Sequence, residues 1–211
     1  SALLVVISFR CLSNITLNQN IHLESKRLPL IDFFKANPLC TLARFFAEFQ
    51  TSFLIIFTVV FGNKIGFSPE KSGLLLSAFM ASGFLDVSIG FFLKKHSPYK
   101  MINIGFLGSL ICFIGINIFY ENYILLLLIY FSSGIFVACI YVCALNIVNE
   151  DYPEKKLVAA NSTFHIIGSI GSIIALVCGG YLISVFGPQG FTMTIITSCL
   201  CYLTFLVFYK K

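Results

Sequence analysis

Charge is what this sequence has least of. Asp, Glu, Lys and Arg make up 11% of its 211 residues, against about 25% in soluble domains, while 58% are hydrophobic and the mean hydropathy is +0.93. That balance excludes an ordinary soluble domain and implies an all-α, multi-pass integral membrane protein whose first partner is the lipid bilayer. Tryptophan is absent, so the interfacial role of large amphipathic rings falls to Tyr99, Tyr120, Tyr123, Tyr152 and Tyr209. There is no HExxH, no Gly-x-Ser-x-Gly and no Walker-type glycine loop, so neither an enzyme nor a cofactor is expected. The net charge of +5 resides in turns rather than in a basic patch with stacking aromatics, and nucleic acid is not an expected partner. The eight cysteines are scattered through apolar runs and read as small hydrophobes, not as a disulfide framework. Cys199 and Cys201 lie in an apolar segment without a nearby histidine, and no metal site is expected there.

Long apolar runs are what the chain has in abundance. Residues 1–9, SALLVVISF, are too short to span and lack a basic start, and they read as the end of a preceding transmembrane helix. Residues 10–37 read as a polar connector broken by Pro29 and Pro38, with a short amphipathic turn around Leu30 to Phe34. Residues 38–211 hold six apolar segments near 38–61, 72–93, 101–119, 123–148, 157–186 and 190–209, each able to cross about 30 Å of hydrocarbon. Counting Lys and Arg on alternate sides gives 11 against 2. The richer side holds Arg10, Lys26, Arg27, Lys35, Lys94, Lys95, Lys100, Lys155, Lys156, Lys210 and Lys211, and the poorer side only Lys64 and Lys71. The positive-inside rule then places the connector, the second and fourth turns and the C-terminus in the cytoplasm.

The fifth segment organises the expectations about packing. Asn161, His165, Gly168, Ser172, Ala175 and Gly179 recur at spacings of four and three on one face, opposite Ile166, Ile170, Ile173 and Val177. In lipid the isoleucines face the bilayer and the small or polar row faces protein. Gly168, Ser172 and Gly179 have the form of a close helix contact, expected with a bundle outside this chain, while Asn161 and His165 are expected to face a cavity. In the third segment Gly105, Gly108, Cys112 and Gly115 form a second row suited to close packing.

Ionisable residues within the spans mark candidate chemistry, because they are costly there and turn towards a bundle interior or a water-filled cavity. They are Arg44 and Glu48 in the first segment, Asp86 in the second and His165 in the fifth. At 1.5 Å per residue Arg44 lies roughly 9 Å in from Pro38, Glu48 about 15 Å, Asp86 about 12 Å from Lys94 and His165 about 12 Å from Leu157, so all four share a layer. Tyr130 and Tyr141 of the fourth segment complete the candidate cavity. Arg44 and Glu48, four apart on one face with Thr41, Thr51 and Thr58, form either a local ion pair that makes the helix insertable or a working pair. In the working pair, Arg44 reads an anionic solute group or Asp86, and Glu48 carries a proton. Asp86 is either an arginine partner or a proton carrier. His165 either bonds between helices or binds solute.

Three local patterns resemble the second half of a major facilitator superfamily transporter. Gly90-Phe91-Phe92-Leu93-Lys94-Lys95-His96-Ser97-Pro98-Tyr99-Lys100 is similar to the family's Gly-x-x-x-Asp-Arg-x-Gly-x-x-Lys/Arg gate loop. Gly90, Lys95 and Lys100 match, Lys94 stands where the acid belongs and Ser97 where glycine is usual. NEDYPEKKLVAANS resembles the acidic-Pro-basic turn into a helix of small residues, and Gly179 to Phe191 resembles the glycine-rich end of the penultimate helix. Within the superfamily the chain is similar to YcaD-like bacterial permeases. The resemblance implies a half-transporter bundle of six helices in a 3+3 repeat, with the third and sixth outermost and the others lining a cavity or the contact with a missing N-terminal six-helix half. It also implies secondary, potentially proton-coupled transport of a small-molecule solute in a bacterial inner membrane. The alternatives are a self-contained six-helix channel or complex subunit, and an inactive fragment.

The orientation is directly testable in a cysteine-free background. A cysteine replacing Glu121 should react with a membrane-impermeant maleimide in intact cells, and one replacing Lys155 only after permeabilisation; the reverse pattern would invert the topology.

Overall fold

The computed structural model describes residues 28–93 and 95–209. The expected helix end at 1–9, most of the connector, Lys94 of the gate loop, and Lys210 and Lys211 lie outside the described residues. Helix starts coincide with proline at the first turn, where a missing N–H costs nothing, and with side chains that cap free amides. After the short α1 (Leu30–Ala36), Asn37 caps α2 (Pro38–Lys64) by accepting from the Cys40 amide at 3.1 Å. Ser68 caps α3 (Pro69–Ala81) in the same way through the Lys71 amide. A 3₁₀ turn (Ser82–Leu85) leads into α4 (Asp86–Leu93), followed by α5 (Pro98–Phe119). Asn122 caps α6 (Tyr123–Asp151) through the Leu125 amide. The 33-residue α7 (Glu154–Phe186) ends at Gly187, whose φ of +62° suits glycine, and Pro188 then begins α8 (Pro188–Tyr209).

Five of these helices, α2, α5, α6, α7 and α8, are long and apolar enough to cross a membrane. The segment expected at 72–93 is instead α3, the 3₁₀ turn and α4. The physical cause is local. Ser82 donates its hydroxyl to the Phe79 carbonyl at 2.7 Å, competing with the helical ladder, and Gly83 follows it. The broken tract nevertheless carries the chain from one end of the bundle to the other. Asn37, at the start of α2, donates to Tyr99, at the start of α5, and to Asp151, at the end of α6.

Helix α2 is central, packing against α3, α6, α7 and α8. Phe45, Phe49, Phe53 and Phe57 run along it as a continuous series of ring contacts, and Phe191 of α8 meets Phe53 and Phe61 at centroid distances of 5.1 and 4.4 Å. Gln50 is fully buried and donates to Ser198 and Cys199 of α8. On α5 the glycine row is a close contact as expected, Gly105 lying under Ile140, Gly108 under the Phe136 ring and Gly115 under Ile129 of α6. The other side of α5 exposes Ile104, Leu107, Ile111, Ile114 and Ile118. α1 is tucked beneath the bundle, with the Phe33 ring stacked on Tyr152 at 5.6 Å.

The small-residue row of α7 requires a correction. Gly168 lies against Arg44, Gly171 against the Phe45 carbonyl, and Gly179 against the Phe53 and Phe57 rings, all on α2 of this same chain. The expected partner, a bundle outside the chain, is therefore replaced by α2. The buried line also departs from the straight row: Ala160, Phe164, Gly168, Gly171, Ala175 and Gly179 are buried, while His165 is exposed. Two helices that cross at an angle cannot keep one straight line of side chains in contact over several turns, so the contact winds around α7. The opposite face behaves as expected, with Ile166, Ile170, Ile173 and Val177 exposed.

Gly171 faces backbone and cannot be accommodated by a rotamer change, whereas Gly73 of α3 has open space around the position of a Cβ. Gly171→Leu should destabilise the protein by about 1–3 kcal/mol and Gly73→Ala should stabilise it by about 0.4–1 kcal/mol, read as unfolding free energies in detergent.

Candidate functional site

Helix α2 alone places two charges on one face. Arg44 and Glu48, one turn apart, form an ion pair with Nη1 to Oε2 at 2.7 Å, their side chains 6% and 29% exposed. A buried guanidinium cannot shed its proton, so it needs acceptors on every side. Its Nε donates to the Phe164 carbonyl on α7 at 3.3 Å. Its central carbon sits 4.8 Å from the Tyr141 ring centroid and 4.9 Å from that of Phe164, within cation–π range. Gly168 leaves the room that the guanidinium occupies. Glu48 is held from α7 as well, since Ser172 donates to its Oε1 at 3.4 Å while sharing a 2.8 Å hydroxyl contact with Ser52.

The pair borders a cavity of about 260 Å³ between α2, the α3–turn–α4 tract and α6. Arg44, Glu48 and Thr51 enter from α2, Ser82 and Asp86 from the break and the start of α4, and Tyr141 from α6. Asp86 follows the 3₁₀ turn directly, so the break in the helix sets where its carboxylate emerges. Its Oδ1 is buried without a hydrogen-bond partner among the described residues. Such a group costs free energy unless something meets it. Close approach of α6 at Gly134 to Ser82 keeps this wall of the cavity narrow. The arrangement offers a neutralised Arg–Glu pair on one wall and an uncompensated carboxylate on the other.

Not every candidate residue meets at this place. Arg44, Glu48, Asp86 and Tyr141 do. Tyr130 is fully buried elsewhere on α6, and neither its hydroxyl nor that of Thr58 has a partner among the described residues. Asn161 is half-buried, its Oδ1 without a partner among the described residues, and His165 is exposed; neither lines the cavity. The expected common depth says nothing of direction around the helix, and the winding of the α2–α7 contact turns these two away. Of the gate loop, Gly90 has open space around it, and Lys95 and Lys100 are exposed. Sequence reasoning did not anticipate the Phe164 carbonyl and ring, Ser52, or the cavity-facing Ser82. Ser82-Gly83 in mid-segment was the available signal for the break.

Residues 40–211 match the family model of the Major Facilitator Superfamily. No curated protein and no solved structure matches the chain.

Lysine keeps the charge at position 44 but offers no planar fork for the Glu48 carboxylate, the Phe164 carbonyl and two rings together. Arg44→Lys should therefore lower unfolding stability by about 2–3 kcal/mol, and Ser172→Ala by about 1 kcal/mol or less, read as unfolding free energies in detergent.

Proposed function

The chain belongs to the Major Facilitator Superfamily, and on that premise we propose that it is one six-helix half of a secondary transporter moving a small solute by alternating access. It is an integral, multi-pass membrane protein of a transporter family. The α3–turn–α4 tract is the sixth crossing, in the form of a broken helix. Two things support this: the tract joins opposite ends of the bundle, and discontinuous helices commonly build solute and ion sites near the membrane midplane. The observation that carries the reading is the cavity itself, where Asp86 at the helix break faces the Arg44–Glu48 pair with a carboxylate oxygen unmet.

In this reading Arg44 is a positioning residue already committed to Glu48, Phe164 and Tyr141. Asp86, with its unmet oxygen, and Glu48, whose carboxylate is shared between its ion pair and the cavity, are the groups that exchange a proton or meet a polar solute group. The bias of Lys and Arg to one end supports an orientation with that end in the cytoplasm; the membrane proposed is a bacterial inner membrane. Alternating access would rock this bundle against a second six-helix half, with the small solute bound between them.

The test uses the complete transporter. In a thermal-shift panel of small organic cations, anions and neutral solutes, one class should stabilise the wild type, and Asp86→Asn should abolish that shift. Uptake of the same solute into proteoliposomes should fall at least tenfold in Glu48→Gln and lose its pH dependence, with membrane insertion intact. Uptake and pH dependence unchanged in Glu48→Gln would remove Glu48 from coupling, and solute flux through this chain alone would overturn the half-transporter reading in favour of a self-contained channel.

A further inference from the structure

On the transporter reading the central cavity is the solute site, and its own groups select the solute's charge. Besides Tyr141, the ionisable side chains of the lining are Arg44 and Glu48 from α2 and Asp86 from the start of α4. Arg44 and Glu48 cancel as an ion pair at 2.7 Å, so with both carboxylates ionised the lining keeps the single negative charge of Asp86. No cation neutralises it among the described residues, where Arg44–Glu48 is the only ion pair. The Arg44 guanidinium is drawn towards α7, lying over Gly168 and donating to the Phe164 carbonyl. An anionic solute would therefore meet an engaged arginine on one wall and an opposing carboxylate on the other.

The uncharged groups of the cavity have the same polarity. Thr51 donates its hydroxyl hydrogen to the Ala47 carbonyl at 2.9 Å, and Ser82 donates its own to the Phe79 carbonyl at 2.7 Å. Each oxygen is left with lone pairs and no hydrogen to offer. Apart from Arg44 and the Tyr141 hydroxyl, the polar side chains of the lining can only accept. Asp86 Oδ1 is the acceptor that nothing meets among the described residues. Beside these groups Phe79, Met80 and Val137 form an apolar wall. The cavity volume of about 260 Å³ is that of roughly nine water molecules.

We propose that the solute is a small organic cation with N–H donors, a primary or secondary alkyl- or arylalkylammonium ion of about nine non-hydrogen atoms, whose ammonium donates to Asp86 Oδ1. Ser82, at the other end of the same 3₁₀ turn, supplies a further acceptor. The hydrocarbon part of the ion lies on the apolar wall. Charge attraction and an N–H bond act together only for such a ligand. A neutral isostere offers Asp86 a weaker donor, and a carboxylate repels it.

All the lining residues belong to this chain, so binding is measured on the purified full chain in detergent at pH 7, by isothermal titration calorimetry. The probes are phenethylamine, the isosteric phenethyl alcohol, and phenylacetate; the amine is protonated at that pH, as alkylammonium ions are. The amine should bind roughly tenfold or more tightly than the alcohol, as expected of a hydrogen bond to a charged group, and phenylacetate should bind more weakly than either. In Asp86→Asn the amine-to-alcohol ratio should fall close to one, with the unfolding temperature in the absence of ligand unchanged. The wild-type ranking tests the charge assignment independently of that variant. Equal affinity for amine and alcohol, tighter binding of phenylacetate, no binding of the amine, or a ratio unmoved by Asp86→Asn would overturn the cation assignment and leave the transporter reading standing. Amine binding that keeps this ranking, while the complete transporter moves no amine into proteoliposomes, would support the cation site and overturn the transport reading alone.

Discussion

The Arg44 guanidinium is the constraint from which the rest of the structure follows. A permanently charged group in the layer of the bundle that is most sheltered from water has to be met on all sides. Its carboxylate comes from its own helix, but its carbonyl acceptor and one of its two rings come from α7 and the other ring from α6. The demand brings three helices together at one point. Gly168 is the complement of that demand, since any side chain there would occupy the volume of the guanidinium. Further along α7 in one direction from that level, Gly171 and then Gly179 let it lie against the backbone and phenyl rings of α2.

With α7 drawn close on one side of α2, the cavity opens on the other. Its far wall is the one helical tract that is not continuous, and the discontinuity presents Asp86. The two halves of the site are therefore held by different means. The Arg–Glu wall is tied by an ion pair, a carbonyl bond and two ring faces. The Asp86 wall rests on a 3₁₀ turn wedged against Gly134. The first is built to stay in place, the second to present an unmet group.

Much of this was legible from residue order, and the reasons for the remainder are physical. Span positions followed from apolar length, which placed the helix starts to within a few residues. The glycine row of α5 and the lipid face of α7 followed from helical periodicity, which is a property of a single helix. What periodicity could not supply was the crossing angle between two helices. For that reason Asn161 and His165 do not line the cavity that Arg44, Glu48 and Asp86 border, and the row Gly168 to Gly179 meets α2 rather than the expected bundle outside the chain. The break at Ser82 escaped because hydropathy averages over a window, whereas the competition between one hydroxyl and one ladder bond is local. Contacts such as Phe164 to Arg44 use a backbone carbonyl, which no residue type advertises.

The long separation between Arg44 and its second acceptor bears on how the chain is made. The Glu48 carboxylate is four residues away, but the Phe164 carbonyl is 120 residues further along. At ordinary elongation rates of about 5–20 residues per second, that carbonyl is synthesised roughly 6 to 24 s later. Throughout that interval α2 must reside in the bilayer, or beside the insertion machinery, with no acceptor from α7 for its arginine. The pairing four residues away acts as a chaperone within the helix, shielding the charge until α7 is delivered. The order of the pair along the chain is thus a provision for biogenesis as much as for the finished bundle.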